Sequence, residues 1–256
     1  MTVQPLAPED SEEEDFAAWA WAPPEASSYC PWVWEHALML ADAPEASAVE
    51  TVLEQVLPGW GQQVLRAWPT FLDAVLAQLP QLAPQMVPYL TAPQGSDSPC
   101  CLELVWVDDA SMQELNREWR GKDAPTDVLT YSAIADSDAD TLPPLLPGCP
   151  VVLGTVVLNM AWALRQAALP DVEATSVDWH QVLGLSERSS AEAQQLLVSR
   201  YVLTRLFHGC LHVLGLHHDT DEAYARIVAI QDAALCDAFG VIHPPSTSSG
   251  HATMAV

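Results

Sequence analysis

A chain of 256 residues, half of them hydrophobic, is long enough and apolar enough to bury a substantial core. Nine basic residues stand against thirty-four acidic ones, for a formal charge of −25, which excludes broad, unspecific adhesion to nucleic acid or anionic membrane and confines any phosphate contact to a local patch. The start is acidic (Glu9, Asp10, Glu12, Glu13, Glu14, Asp15) where a secretory leader is basic and then apolar, no apolar run reaches membrane-spanning length, and the six cysteines include no Cys-x-x-Cys pair; a cytoplasmic location is expected, with no membrane partner.

Taken in order, the acidic, Ala/Pro-rich stretch through Pro31 reads as disordered. From Pro44 to Leu90 the pattern is helical, with Val49, Val52, Leu53, Val56 and Leu57, then Val64, Leu65, Trp68, Leu72, Val75, Leu76 and Leu79; Pro58, Pro69, Pro80 and Pro84 are expected to break it into short pieces. Trp32, Trp34, Trp60 and Trp68 need burial, against the rest of the chain or against a partner. Residues 1–95 thus read as an acidic, partly disordered and partly helical extension without an assigned chemistry, and Pro93 to Pro99 as a linker.

Behind the linker the grammar changes. Cys101–Val107 alternates as a strand, Asp108-Asp109 turns, and Ser111 with Glu114 offers a capping box for a helix ending at Gly121. Asp127–Ile134 reads as a second strand, Val151–Leu158 as a third, and Asn159 caps a helix to about Leu169. Pro170 to Ser190 reads as an irregular surface insertion. A long helix, apolar on several sides, then runs to Leu214, and Asp219 with Glu222 caps a last helix that stops at Gly240. The working domain is residues 96–243, and 244–256 form a flexible tail.

The chemistry concentrates in His208-Gly209-Cys210-Leu211-His212-Val213-Leu214-Gly215-Leu216-His217-His218. His208 and His212 lie one helical turn, about 6 Å, apart on one face. Gly215 ends the helix in the left-handed conformation and brings the chain back, so that His218 or its neighbour His217 approaches the same point. Three neutral imidazoles leave a fourth position of a tetrahedral zinc open, the arrangement of a catalytic site. Nearby cations are Arg117, Arg120, Lys122 and Arg205. Arg117 and Arg205 read as solvated helix-end charges, whereas Arg120 and Lys122 precede the turn Asp123-Ala124-Pro125-Thr126-Asp127, where a guanidinium suits a phosphodiester.

The histidine spacing is also that of metzincin peptidases, but their glutamate after the first histidine is replaced by Gly209, which removes the general base. With glycine there, and with Leu115-Asn116-x-x-Trp119-Arg120-x-Lys122-Asp123-x-Pro125-Thr126-Asp127-Val128-Leu129 and Leu153-Gly154, the chain resembles the YbeY family of metal-dependent endoribonucleases over about residues 100–240. The resemblance implies an α+β fold, a small mixed β-sheet flanked by helices with a central helix carrying the histidines. It implies one zinc per chain on His208, His212 and His218, and a catalytic, substrate-binding Arg120 with Lys122 beside it. It implies single-stranded RNA cleavage in 16S ribosomal RNA 3′ end maturation and ribosome quality control. Ribosomal RNA and the ribosome are then the partners, with a basic ribosomal protein suiting the acidic surface and no DNA expected.

Departures from the family pattern are Leu216-His217 for Tyr-Asp, Thr155-Val156 for Asp-Ile, and Thr130-Tyr131 for Ser-Phe; an aspartate lost beside a ligand removes an outer hydrogen bond. Asp219 could replace it but reads first as a helix cap. A zinc peptidase or amidase and a non-catalytic, metal-stabilised ribosome-binding module are the other two classes to be tested.

Overall fold

A computed structural model describes residues 32–39, 46–91, 100–167 and 175–241, apart from residues 136, 138–141, 145, 147, 148 and 176. The expected disordered start, the linker and the tail lie outside the described residues.

The sheet has four strands: β1 (Trp32–Met39), β2 (Cys100–Val107), β3 (Val128–Ser132) and β4 (Val151–Asn159), in the order β1-β2-β4-β3. β1, β2 and β4 run parallel and β3 pairs antiparallel with β4 at the edge, which makes the sheet mixed, as expected. β1 lies within the N-terminal extension, where sequence patterning indicates no strand and only tryptophans in need of cover. A register shift between Cys101 and Leu102 bulges β4 at Leu153, just before Gly154.

Helix α1 (Ala46–Leu76) corrects a second expectation: it is 31 residues long and passes through Pro58 and Pro69. Each interior proline costs about 3 kcal/mol. The helix buries Trp60, Val64, Trp68, Phe71, Leu72 and Val75, and full burial of one such side chain stabilises by about 1.5–3 kcal/mol, so packing outweighs the two breaks. Pro80, Pro84 and Pro88 do punctuate the chain, at the starts of α2 (Leu79–Leu82), a 3-10 turn (Pro84–Met86) and α3 (Val87–Leu90). The α1 tryptophans are covered from within: Trp60 meets Trp106 of β2 edge-on at 5.5 Å, and Trp68 stacks on Phe71, which lies 5.0 Å from Phe207.

Two faces of the sheet are covered by different helices. Helix α4 (Asp109–Arg120) lays Met112 and Leu115 on Val105, Val107, Leu129 and Val157. Its N-cap is Asp108, whose carboxylate accepts from the Ser111 N–H at 2.8 Å, so the helix begins earlier than the Ser111–Glu114 box implied. On the other face, Leu102, Leu104, Trp106, Val156 and Leu158 share one core with α1 and with α7 (Ser190–Val213). Helix α5 (Met160–Gln166) is capped by Asn159, as expected, and α8 (Asp221–Ala238) packs along α1 and α7. The insertion is more than surface: it carries α6 (Trp179–Val182) and a 3-10 turn (Leu185–Glu187), and Trp179 is buried between Phe239 and the Arg200 guanidinium. Among the described residues no helix is long and apolar enough to cross a membrane.

Helix α7 lies close to the sheet because position 209 has no side chain. A Cβ there would stand 2.7 Å from a Val156 methyl and 3.2 Å from that of Thr130. Gly209→Ala would gain about 1 kcal/mol of helix propensity but lose about 1–3 kcal/mol by overpacking. The variant is therefore expected to unfold at lower urea concentration than the wild type; an increased midpoint would mean that α7 lifts freely from the sheet.

Candidate metal centre

The site is built by the way α7 ends. Gly215 has φ 86°, its N–H donates to the His212 carbonyl at 3.0 Å, and the Leu216 N–H donates to the Leu211 carbonyl at 2.8 Å. This is the paired 6→1 and 5→2 turn that closes a helix, and it seats Leu216 in the core. The Ser132 hydroxyl donates to the Val213 carbonyl at 2.7 Å, which ties the helix end to β3. With Leu216 turned inward, the chain runs out past His217 and returns with His218.

The three rings then converge. Centroids of His208 and His212 are 4.6 Å apart, those of His208 and His218 5.2 Å, and those of His212 and His218 5.0 Å. One nitrogen from each lies within 4.8 Å of the others, and the Nε2 atoms of His208 and His212 are 3.0 Å apart. Two imidazole nitrogens held at 2.0–2.1 Å by one tetrahedral zinc are about 3.3 Å apart, so the His208–His212 pair stands near the spacing of such an ion and His218 is within reach of it. His217 is outside this group: it is exposed, and its Nδ1 lies 3.3 Å from His212 Nδ1, on the side of that ring away from the cluster.

The surroundings keep His208 and His212 neutral, the form that binds metal. Burial pushes His208 down to about 4, assisted by Arg205 and His218 and opposed by the hydrogen bond to Gln231 and by Asp127. Burial, together with the other three imidazoles, pushes His212 down to about 3. Gln231 of α8 donates from Nε2 to the Thr204 carbonyl at 3.1 Å, which turns its Oε1 toward His208 Nδ1 at 3.5 Å. That contact favours the tautomer whose Nε2 lone pair faces the cluster. His218 rests edge-on against Tyr224 at 5.8 Å. A cavity of about 190 Å³ adjoins the cluster, bounded by α7 and α8 and by Thr175 of the insertion.

Arg205 corrects the expectation of a solvated cation: its Nε is 2.7 Å from Asp127 Oδ2 and its guanidinium lies over the Tyr201 ring. Arg117 is solvated as expected, in an exposed pair with Glu114. Arg120 and Lys122 are exposed at the C-terminal end of α4 and do not line the cavity. Although α4 and α7 cover opposite faces of the sheet, the turn that follows Lys122 crosses to Asp127 and so to Arg205, which links the two regions. Sequence reading missed Gln231 and the Asp127–Arg205 pair because both link elements far apart in the chain.

Comparison with known proteins puts a family to this arrangement. The profile described as Endoribonuclease YbeY matches residues 73–177, ending within the insertion and ahead of α7. Proteins named Endoribonuclease YbeY are similar over most of their length. That of Paramagnetospirillum magneticum is 35% identical over 56% of this chain and 70% of its own. Those of Moorella thermoacetica and of a Synechococcus strain (RCC307) are 33% and 31% identical, over 56% and 65% of this chain and 76% and 81% of theirs. The chain belongs to the YbeY endoribonuclease family.

Seen as a YbeY chain, its departures have local explanations. Thr155 donates to Glu103, its cross-strand neighbour, at 2.6 Å, and Leu216 is core. Asp219 is exposed and is not the cap of α8, which is Thr220, accepting from the Ala223 N–H at 3.2 Å.

The depressed histidines give the metal-free protein a pH dependence. As pH falls below 6.5, the unfolded chain takes up protons at positions 208 and 212, while the folded chain does so only near about 4 and about 3. Stability is therefore expected to fall as pH drops through that window. Thermal melting of chelator-treated protein from pH 7.5 to 4 checks this against a His208→Ala, His212→Ala double variant, whose melting temperature should fall less steeply; equal slopes would contradict the assignment.

Proposed function

We propose that this chain is a zinc-dependent endoribonuclease that hydrolyses a phosphodiester bond in single-stranded RNA, in the cytoplasm, during 16S ribosomal RNA 3′ end maturation and ribosome quality control. The observation that carries the reading is the convergence of His208, His212 and His218, the first two half-buried and held neutral, in a chain of this family. These three residues would hold one zinc ion per chain. A bound divalent ion supplies a Lewis acid for a phosphoryl oxygen or an attacking water. Gln231 and Tyr224 orient the outer two rings, and the adjoining cavity gives a nucleotide room beside them. Arg120 holds the phosphate as substrate-binding and catalytic residue, and Lys122 adds local positive charge to an otherwise acidic chain.

The peptidase reading is disfavoured on steric grounds. The glutamate it needs after the first histidine would occupy position 209, where even a Cβ meets Val156 at 2.7 Å. The binding-module reading rests on the charge of −25, which suits a basic ribosomal protein better than naked RNA.

Metal analysis and an RNA cleavage assay on the same preparations decide among these. The expected result is about one zinc per chain and cleavage of single-stranded RNA, with His212→Ala losing both metal and activity. Arg120→Ala should keep the metal and lose activity by about 10²–10³-fold, the usual scale for removing one charge-stabilising donor. Cleavage of unstructured protein that survives Arg120→Ala would favour the peptidase. A chelator-induced drop in melting temperature without RNA cleavage would favour the module.

A further inference from the structure

The outer nitrogen of His212 faces an unusual neighbour. Its Nε2 points to His208 Nε2 at 3.0 Å, while its Nδ1 points to His217 Nδ1 at 3.3 Å, with the two rings stacked at 26° and 5.3 Å between centroids. If Nε2 gives its lone pair to a metal, the His212 proton must sit on Nδ1, and a proton there needs an acceptor. His217 Nδ1 is an acceptor when that ring carries its own proton on Nε2, which its exposed position leaves open to water. Leu216 is locked into the core by the turn at Gly215, so position 217 is delivered to this side of His212 by the backbone.

We infer that His217 is a positioning residue for the metal centre, accepting the His212 Nδ1–H bond and so fixing the ring and tautomer through which His212 binds the ion. The inference rests on the three-histidine reading above and concerns this chain's own solution to the position where the family pattern has aspartate. A carboxylate would make the same bond while adding a charge; an imidazole makes it neutrally. The competing explanation is that the Leu216 carbonyl, which also bears on the His212 ring, suffices as acceptor and His217 is a surface residue.

Zinc affinity separates the two, measured by competition with a chromophoric chelator on the full chain, alongside the melting temperature of the metal-free protein. His217→Ala is expected to keep one zinc per chain, to bind it about 10–100-fold more weakly, as when an outer partner of a ligand is removed, and to leave the metal-free melting temperature unchanged. His217→Asp should recover the affinity to within a few-fold of wild type, and His218→Ala should abolish stoichiometric binding. An affinity for His217→Ala within twofold of wild type would overturn the role. So would loss of stoichiometric zinc in His217→Ala with retention in His218→Ala, which would make His217 a ligand. A wild-type chain that takes up no zinc would overturn the metal centre itself, and this role with it.

Discussion

The structure depends on how closely α7 approaches the sheet. A helix normally stands off by the thickness of a side chain, but at Gly209 the backbone of α7 meets Val156 and Thr130 directly. This fixes the height of the helix over β4, and Ser132 and the Gly215 turn fix its end. The two histidines flanking Gly209 are therefore displayed from a rigid base, and the third returns on a turn whose next residue, Leu216, is anchored in the core. Gly209 thus has a packing reason for its presence, and the absence of a glutamate there follows from contact with the sheet.

Anchoring of that kind makes His208 and His212 difficult to protonate as well as difficult to move. Burial depresses His208 and His212, and each imidazole disfavours charge on its neighbours. In a chain of charge −25 the opposite shift would be expected from long-range fields alone. Local desolvation of His208 and His212 wins because these half-buried rings lose part of their water, whereas the described acidic side chains are largely at the surface, where they are screened.

What was legible in the sequence was local. The strands β2, β3 and β4, the caps at Asn159 and Gly121, the end of α7 at Gly215 and the grouping of His208, His212 and His218 each follow from patterns within about ten residues. What was not legible depends on elements that meet from a distance. Helix α1 survives two prolines because Trp60 finds a partner on β2 and Phe71 one on α7, over a hundred positions later for Phe207. β1 becomes a strand because the parallel edge of β2 is there to pair with it. The caps of α4 and α8 were each assigned to the wrong residue, since Asp108 and Thr220 compete with chemically similar neighbours and only the backbone path decides. The interval from His212 favours His218 over His217 as the third member, and the structure groups His218 with His208 and His212.

The charges around the histidines point to how a phosphodiester would be attracted. Arg205, the cation nearest in sequence to His208, is held by Asp127, and the two act on His208 in opposite senses. A cluster of neutral rings beside a compensated pair offers little attraction to phosphate by itself. The attraction would then come from the ion the histidines hold and from Arg120 and Lys122, exposed at the end of a helix on the other side of the sheet. Because their turn leads into Asp127, the pair with Arg205 has a positional consequence beyond its Coulomb energy: it pins the segment carrying those cations to the helix carrying His208 and His212. In a chain of this overall acidity an RNA contact has to be local, made where such an arrangement overrides the surrounding field.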